Sequence, residues 1–134
     1  MRCPVCNQAM VILEYQGIEL DHCVACGGCW LDAGELGLLL NGTPEAPGDL
    51  ALADAARGRR RCPRCPQRMD TGHMPGSSVE VDVCPARHGL WLDRGELAAL
   101  ARERAAGSEK MAALARHLGE LFGEEGTNPK ETKS

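Results

Sequence analysis

The arrangement of the cysteines constrains this chain more than any other feature of its sequence. A Cys3-Pro4-Val5-Cys6 turn is followed, after residues 7–22, by a second pair with the same Cys-x-x-Cys spacing. Two such pairs present four thiolates to one tetrahedral Zn²⁺ ion. The ligands predicted for this first site are Cys3, Cys6, Cys23 and Cys26. Iron bound by the same four thiolates is the alternative metal.

The pattern recurs later in the chain with one cysteine missing. Arg87 stands where Cys26 stands in the first copy, and His88 follows it. Because imidazole is longer than a thiolate side chain, a shift of one residue still lets a His88 nitrogen reach the metal. His73 is the rival for this position. The ligands predicted for the second site are Cys62, Cys65, Cys84 and His88.

One cysteine and three histidines remain outside these two sets. Cys29 precedes Trp30, and its counterpart in the second copy is Leu90, so we expect a small apolar residue buried beside the indole. A redox-active thiol or a substitute ligand is the alternative for Cys29. The default expectation for the remaining imidazoles is a surface position, and these are His22, His73 and His117.

The context of the cysteines favours metal over disulfides. The first pair occupies the place of any signal peptide, and no apolar run approaches the ~18 residues that span a bilayer. Cysteine pairs in a reducing compartment more often hold metal. Aromatic residues make up 3% of the chain, so each small core needs an additional source of stability. We therefore predict a cytoplasmic, non-membrane protein with two structural Zn²⁺ ions, each contributing about 10–16 kcal/mol.

Each copy also predicts a β-hairpin between its cysteine pairs and a helix after them. Residues 10–15 are rich in β-forming side chains, Gln16-Gly17 is a plausible tight turn, and residues 18–21 alternate apolar with polar. A hairpin between two metal-binding turns is the arrangement of a zinc ribbon. Asp32 and Glu35 then predict a capping box for a helix that ends at Asn41-Gly42. In the second copy Asp93 and Glu96 repeat the box.

The predicted fold class is a small metal-stabilised α+β protein made of two tandem zinc ribbons plus a C-terminal amphipathic helix. The first ribbon with its helix covers residues 1–42, and the second covers residues 61–107. Residues 43–60 are predicted to be a linker, with a short helix over residues 50–57. Residues 108–122 are predicted to form the last helix, and residues 123–134 a disordered tail.

These motifs resemble the transcription factor IIB-type zinc-finger family of small bacterial proteins. The resemblance rests on Cys-Pro-x-Cys, on a Glu-x-Asp before the third ligand, and on Cys-x-x-Cys-Gly-Gly-x-Trp-Leu-Asp-x-Gly-Glu-Leu. Both copies carry these features, over residues 2–40 and 61–97, with departures at Cys29 and at Arg87-His88. The resemblance implies a zinc ribbon, and it does not by itself imply DNA binding.

An enzyme is not predicted. Four protein ligands leave no open coordination position, and the sequence has no serine–histidine–acid set and no phosphate-binding glycine loop. The leading prediction is a protein-interaction or regulatory module. Its last helix carries an apolar stripe that either docks in a partner or a second copy of the chain, or covers the second ribbon. The stripe residues are Met111, Leu114, Leu118, Leu121 and Phe122.

Two other functions stay open at this stage. A basic cluster within residues 57–68 is the basis for nucleic-acid binding, although a net charge of −4 and few stacking side chains argue against it. In a competing interpretation, this cluster neutralises thiolates or acidic groups of the first ribbon. The cluster comprises Arg57, Arg59, Arg60, Arg61 and Arg64. The third option is a thiol redox or zinc-responsive switch with Cys29 as the resolving thiol.

Overall fold

Seven antiparallel strands form one sheet in the computed structural model of the protein, which describes residues 1–46, 50–103 and 116. Along the chain the strands are β1 (Val11–Tyr15), β2 (Ile18–His22), β3 (Cys29–Asp32), β4 (Ala53–Arg61), β5 (Arg68–His73), β6 (Glu80–Val83) and β7 (Gly89–Leu92). Helix α1 (Glu35–Asn41) follows β3, and helix α2 (Glu96–Glu103) follows β7. The spatial order of the strands is β1-β2-β3-β7-β6-β5-β4.

The two predicted hairpins are confirmed. β1 pairs with β2 around Gln16 and Gly17, both of which adopt the positive φ that a two-residue hairpin turn requires. β5 pairs with β6 across a longer connection that contains Pro75 and Gly76. Each hairpin therefore returns the chain to its second group of metal ligands, as the ribbon arrangement requires.

The two ribbons join edge to edge through their last short strands. β3 pairs with β7 so that Trp30 lies opposite Trp91, its own counterpart in the repeat. On either side of this pair Leu31 faces Leu90 and Cys29 faces Leu92. A strand that meets its own repeat in antiparallel register generates a local two-fold axis, here between the two tryptophans. The ribbons are thus two halves of one sheet.

The alternation of side chains along the strands separates two buried layers. Leu31 and its neighbours face one side of the sheet, where they pack with leucines of α1 and α2. Trp30 and Trp91 face the other side, where they pack with the metal-binding cysteines and Met69. Residues that alternate in a strand point to opposite faces, so Trp30-Leu31 contributes to both layers.

The predicted linker is the main correction to the sequence analysis. The short helix over residues 50–57 is wrong, because Ala53–Arg61 forms β4 and pairs with β5. Alanine and arginine favour a helix locally, but tertiary pairing overrides this preference. Acidic side chains of the second ribbon attract the arginines: Arg57 binds Asp70 on β5, and Arg60 binds Asp93, which follows β7. Residues 53–61 therefore belong to the second ribbon.

The predicted capping boxes are half correct. The Glu35 carboxylate accepts from the Asp32 backbone N–H at 2.9 Å, and Glu96 accepts from Asp93 N–H at 2.8 Å. The residue at the N-terminal cap of α1 is Gly34, however, and it makes no side-chain cap bond. The aspartates bind other partners, described below.

Of the predictions for the helix ends and the C-terminal region, one is confirmed and the others fall outside the described residues. α1 ends as predicted, with Gly42 in the left-handed conformation. The expected extension of α2 towards residue 107, the last helix and the tail lie outside the described residues, apart from residue 116. Within the part of the chain that the structure describes, no helix combines the length and the apolar character needed to cross a membrane.

Candidate metal centres

The first cluster forms where the turn before β1 meets the turn between β2 and β3. The ligand atoms of Cys3, Cys6, Cys23 and Cys26 all lie within 4.8 Å of one another. The Cys3 and Cys26 sulfurs are 3.7 Å apart. Tetrahedral zinc with Zn–S bonds of ~2.3 Å places neighbouring sulfurs about 3.8 Å apart, whereas a disulfide holds them at about 2.05 Å. The spacing fits four thiolates around one ion.

The second cluster brings together Cys62, Cys65, Cys84 and His88 within the same 4.8 Å limit. The Cys65 and Cys84 sulfurs are again 3.7 Å apart. The His88 Nδ1 atom lies 3.4 Å from the Cys84 sulfur and 3.9 Å from the Cys62 sulfur. These distances bracket the ~3.6 Å expected between ligands with Zn–S of ~2.3 Å and Zn–N of ~2.0–2.1 Å. His88 therefore presents Nδ1 as the fourth ligand atom.

A difference in turn closure explains why the fourth ligand moves by one residue. In the first cluster the N–H of Gly27 donates to the Cys23 carbonyl, four residues back. In the second, the N–H of Arg87 donates to the Cys84 carbonyl, three residues back. Arg87 adopts a positive φ of 67°, as Gly27 does at 84°. The second turn thus closes one residue earlier and directs the next side chain, His88, towards the metal.

Backbone amides of the metal-binding turns donate to the sulfurs. The N–H groups of Val5 and Cys6 each lie 3.3 Å from the Cys3 sulfur, and Ala86 N–H lies 3.3 Å from the Cys84 sulfur. The hydrogen bond with the Cys26 thiol lowers the pKa of Cys3, burial opposes this effect, and the two amides add to it. The resulting pKa of Cys3 is about 5. At Cys84 burial raises the pKa, but backbone and side-chain donors outweigh it and bring the pKa to about 7. Each cluster thus contains one thiol that ionises readily, as metal binding requires.

Both clusters are closed sites. In each, two ligands are buried and two are half-buried, and the four protein ligands would fill the tetrahedral coordination of one ion. An ion held in this way would stabilise the fold. The donor sets and spacings are compatible with two structural Zn²⁺ ions.

A network of a tryptophan, an aspartate and an arginine lies beside each cluster. In the first ribbon, Trp30 Nε1 donates to Asp32 at 2.9 Å. Arg64, from the first metal-binding turn of the second ribbon, donates to both carboxylate oxygens of Asp32. Burial alone would raise the pKa of Asp32, but the bonds from Arg64 and Trp30 hold it below its usual value. This arginine joins the two ribbons.

The second network is more deeply buried. Trp91 Nε1 donates to Asp93 at 3.0 Å, and Arg60 Nη1 lies 2.7 and 2.8 Å from the two Asp93 oxygens. Arg60 also reaches Asp82 at 3.3 Å, and Asp82 accepts from the Thr71 hydroxyl. Although burial alone would lower the pKa of Arg60, the bonds and charges of these aspartates raise it. The recurring Trp-x-Asp spacing is the sequence signal for these networks, but both aspartates were predicted to cap helices.

These contacts occupy most of the predicted basic cluster. Arg57 binds Asp70, Arg61 donates to the Pro66 carbonyl, and Arg60 and Arg64 bind aspartates as described. The interpretation that arginines neutralise acidic groups of the first ribbon is confirmed at Arg64. Nucleic-acid binding stays a prediction with less support, because guanidinium groups paired with carboxylates are less available to phosphates.

The residues outside the two clusters have different outcomes. Cys29 is buried, as predicted, but it lies in the leucine layer on the face opposite Trp30 and not beside the indole. Burial raises its pKa, which opposes a redox role. His73 lies on β5, 3.9 Å from Asp54, and is not part of the second cluster. The surface prediction for His22 is wrong, because its ring is buried and contacts the Gly28 carbonyl at 3.1 Å. His117 and the apolar stripe of the last helix lie outside the described residues.

A family model described as transcription factor zinc-finger matches the chain twice, over residues 2–42 and 61–103. Together the two segments cover more than half of the chain, and each contains one metal cluster, its hairpin and its helix. No curated protein and no solved structure matches the chain significantly.

Proposed function

The chain belongs to the transcription factor zinc-finger family, and on that basis we propose that it is a non-enzymatic protein-interaction or regulatory module. The observation that carries the proposal is the pair of closed four-ligand clusters on one sheet. Because zinc in such sites has no open position for substrate, its contribution is to hold a binding surface in shape. Two ions fixed to one sheet make that surface rigid, and a rigid surface loses less conformational entropy on binding.

The distribution of exposed apolar side chains supports an interaction surface on the first ribbon. All six large apolar residues that are exposed in the described part of the chain belong to residues 1–42. They are Met1, Val5, Val11, Ile12, Val24 and Leu38. Exposed apolar residues are common individually, but their confinement to one of two homologous halves is not explained by folding.

The proposal is tested by affinity capture with the zinc-loaded chain as bait. Two comparison baits separate the surface from the fold: Val24→Ser changes an exposed side chain, and Cys84→Ser removes a ligand of the second cluster. We expect a partner that binds the wild-type chain, is depleted with Val24→Ser, and is lost with Cys84→Ser. Capture of the same proteins by all three baits would contradict the proposal, and so would turnover of a substrate by the zinc-loaded chain.

A further inference from the structure

The two edges of the sheet differ, although the ribbons are repeats. At one edge β4 covers β5. β1 is the counterpart of β5 in the first ribbon, and it is the outermost strand at the other edge within the described residues. A bridge between Arg2 and Ala9 corresponds to the pairing of Arg61, the last residue of β4, with Arg68, the first residue of β5. The first ribbon thus has the start of this interaction, but no strand of the described residues covers it.

One row of side chains crosses the sheet and shows what the second edge lacks. From β4 to β1 the directly paired residues are Ala56, Thr71, Asp82, Trp91, Trp30, Asp21 and Ile12. Direct partners share one face, so Asp82 and Asp21 occupy equivalent places beside the tryptophans. Asp82 binds the Thr71 hydroxyl and Arg60 of the covering strand.

The equivalent acid in the first ribbon has neither contact. The counterpart of Thr71 is Ile12, whose side chain has no donor and is 65% exposed. Among the described residues no side chain donates a hydrogen bond to the Asp21 carboxylate, and the two nearby cations, Arg64 and the N-terminal ammonium group, affect it only through their charges. Asp21 thus lies at the position equivalent to Asp82, which binds Arg60 of the covering strand in the second ribbon.

The charge at this edge is also predominantly negative. Glu14 lies directly opposite Glu19 in the β1–β2 ladder. Two like charges in direct cross-strand positions are destabilising unless a cation lies between them. In the second ribbon the corresponding pair is His73 and Glu80, which carries no such repulsion. The β1 edge therefore combines three carboxylates with an exposed apolar side chain on one face.

We propose that the free edge of β1 binds an extended, arginine-bearing segment of a partner protein, which adds to the sheet beside Ile12 and Glu14 as β4 adds beside Thr71. The proposal rests on the proposed interaction function and names its surface. Unpaired backbone groups of an edge strand supply the affinity in this mode, and side chains supply the specificity. A second copy of the chain is disfavoured as the occupant, because pairing β1 with β1 would bring two acidic edges together.

The probe is a fluorescent peptide with the sequence of Ala53–Arg61, the strand that covers the equivalent edge. Anisotropy is measured with the full zinc-loaded chain in about 0.15 M salt, which screens long-range attraction. A control peptide keeps all four arginines but carries proline at the positions of Ala56 and Gly58, which removes backbone donors. We expect saturable binding of the first peptide and at least tenfold weaker binding of the second.

Matched variants of the protein locate the site. Glu14→Gln and Asp54→Asn each remove one negative charge, at opposite edges of the sheet. We expect Glu14→Gln to weaken binding about threefold and Glu14→Lys about tenfold, whereas Asp54→Asn leaves it unchanged. Folding of the Glu14 variants is not at risk, because each relieves the repulsion with Glu19. Hydrogen exchange of the β1 amides is expected to slow when the peptide binds.

Three results would overturn the inference: equal binding of both peptides, equal effects of the Glu14 and Asp54 variants, or self-association of the chain through β1 without peptide. Any of these would leave the proposed function intact if affinity capture still finds a partner that depends on Val24. If peptide binding behaves as expected but capture finds no partner, the edge accepts a strand and the interaction function itself is in question.

Discussion

The buried ion pair between Arg60 and Asp93 gives the sharpest test of the energetics. The Asp93 side chain is 0% exposed, and it accepts from Arg60 and from Trp91. Replacing Arg60 with methionine retains the apolar part of the side chain and removes the charge. Asp93 and the neighbouring Asp82, both buried, then lose the guanidinium group that they share.

The expected loss of stability is large because its size depends on how deeply the ion pair is buried, and not on the distance between the charged atoms. Removing one partner of a buried ion pair costs about 3–5 kcal/mol, since the remaining charge is neither solvated nor paired. The chain offers a matched control in Arg57, which lies 2.8 Å from Asp70 with side chains 52% and 34% exposed. An exposed pair of this kind contributes about 0–1 kcal/mol. Arg60→Met is therefore expected to lower the midpoint of thermal unfolding by about 10–20 °C, and Arg57→Met by only a few degrees.

Unfolding should be followed by tryptophan fluorescence at a fixed excess of free zinc, because bound metal adds to the apparent stability. The double variant Arg60→Met/Asp93→Asn removes both charges and should recover part of the loss, with a coupling energy of about 2 kcal/mol or more. If Arg60→Met and Arg57→Met destabilise the chain equally, or if Asp93→Asn recovers nothing, the reasoning from burial is refuted.

Three other predictions concern the metal and the core. Elemental analysis should find two zinc atoms per chain and one for Cys84→Ser, and iron at either site or zinc retained in full by the variant would contradict the assignment. Gly28→Ala should cost about 1–3 kcal/mol in chemical unfolding, because an added Cβ would lie 2.2 Å from Cζ2 of Trp91; an unchanged midpoint would refute this contact. Cys29 should resist thiol reagents in the zinc-loaded protein, since it is buried with a raised pKa, and Cys29→Ala should still bind two zinc ions; rapid labelling, or loss of zinc in the variant, would argue against the structural role.

The features that could be predicted from the sequence are those that depend on residue spacing and on local sequence patterns. Cysteine spacing determines which thiols can meet, so the members of both clusters were readable, and the length of imidazole pointed to His88. Alternation and turn residues located both hairpins.

The features that the sequence did not predict depend on contacts between distant segments. Ala53–Arg61 shows no apolar alternation, and it is a strand because β5 and the acidic side chains around it provide a partner. The pairing of β3 with β7 rests on only four residues in each strand, too few for a local signal. Asp32 was assigned to a helix cap because Arg64, its partner, lies 32 residues away in the sequence.

The repeat explains why the ribbons share a sheet, and its asymmetry is the basis for the proposed strand-binding edge. Each tryptophan packs against a glycine of the other ribbon: a Cβ on Gly28 would meet Trp91, and one on Gly89 would meet Trp30. The packing at this centre is alike in both copies, because the local two-fold axis passes between them. This symmetry does not explain why Ile12 and Glu14, at the edge that no described strand covers, stand in the places equivalent to Thr71 and His73. Within the described residues these differences leave Asp21 without a side-chain donor and place Glu14 opposite Glu19, and the proposed partner arginine would compensate for both.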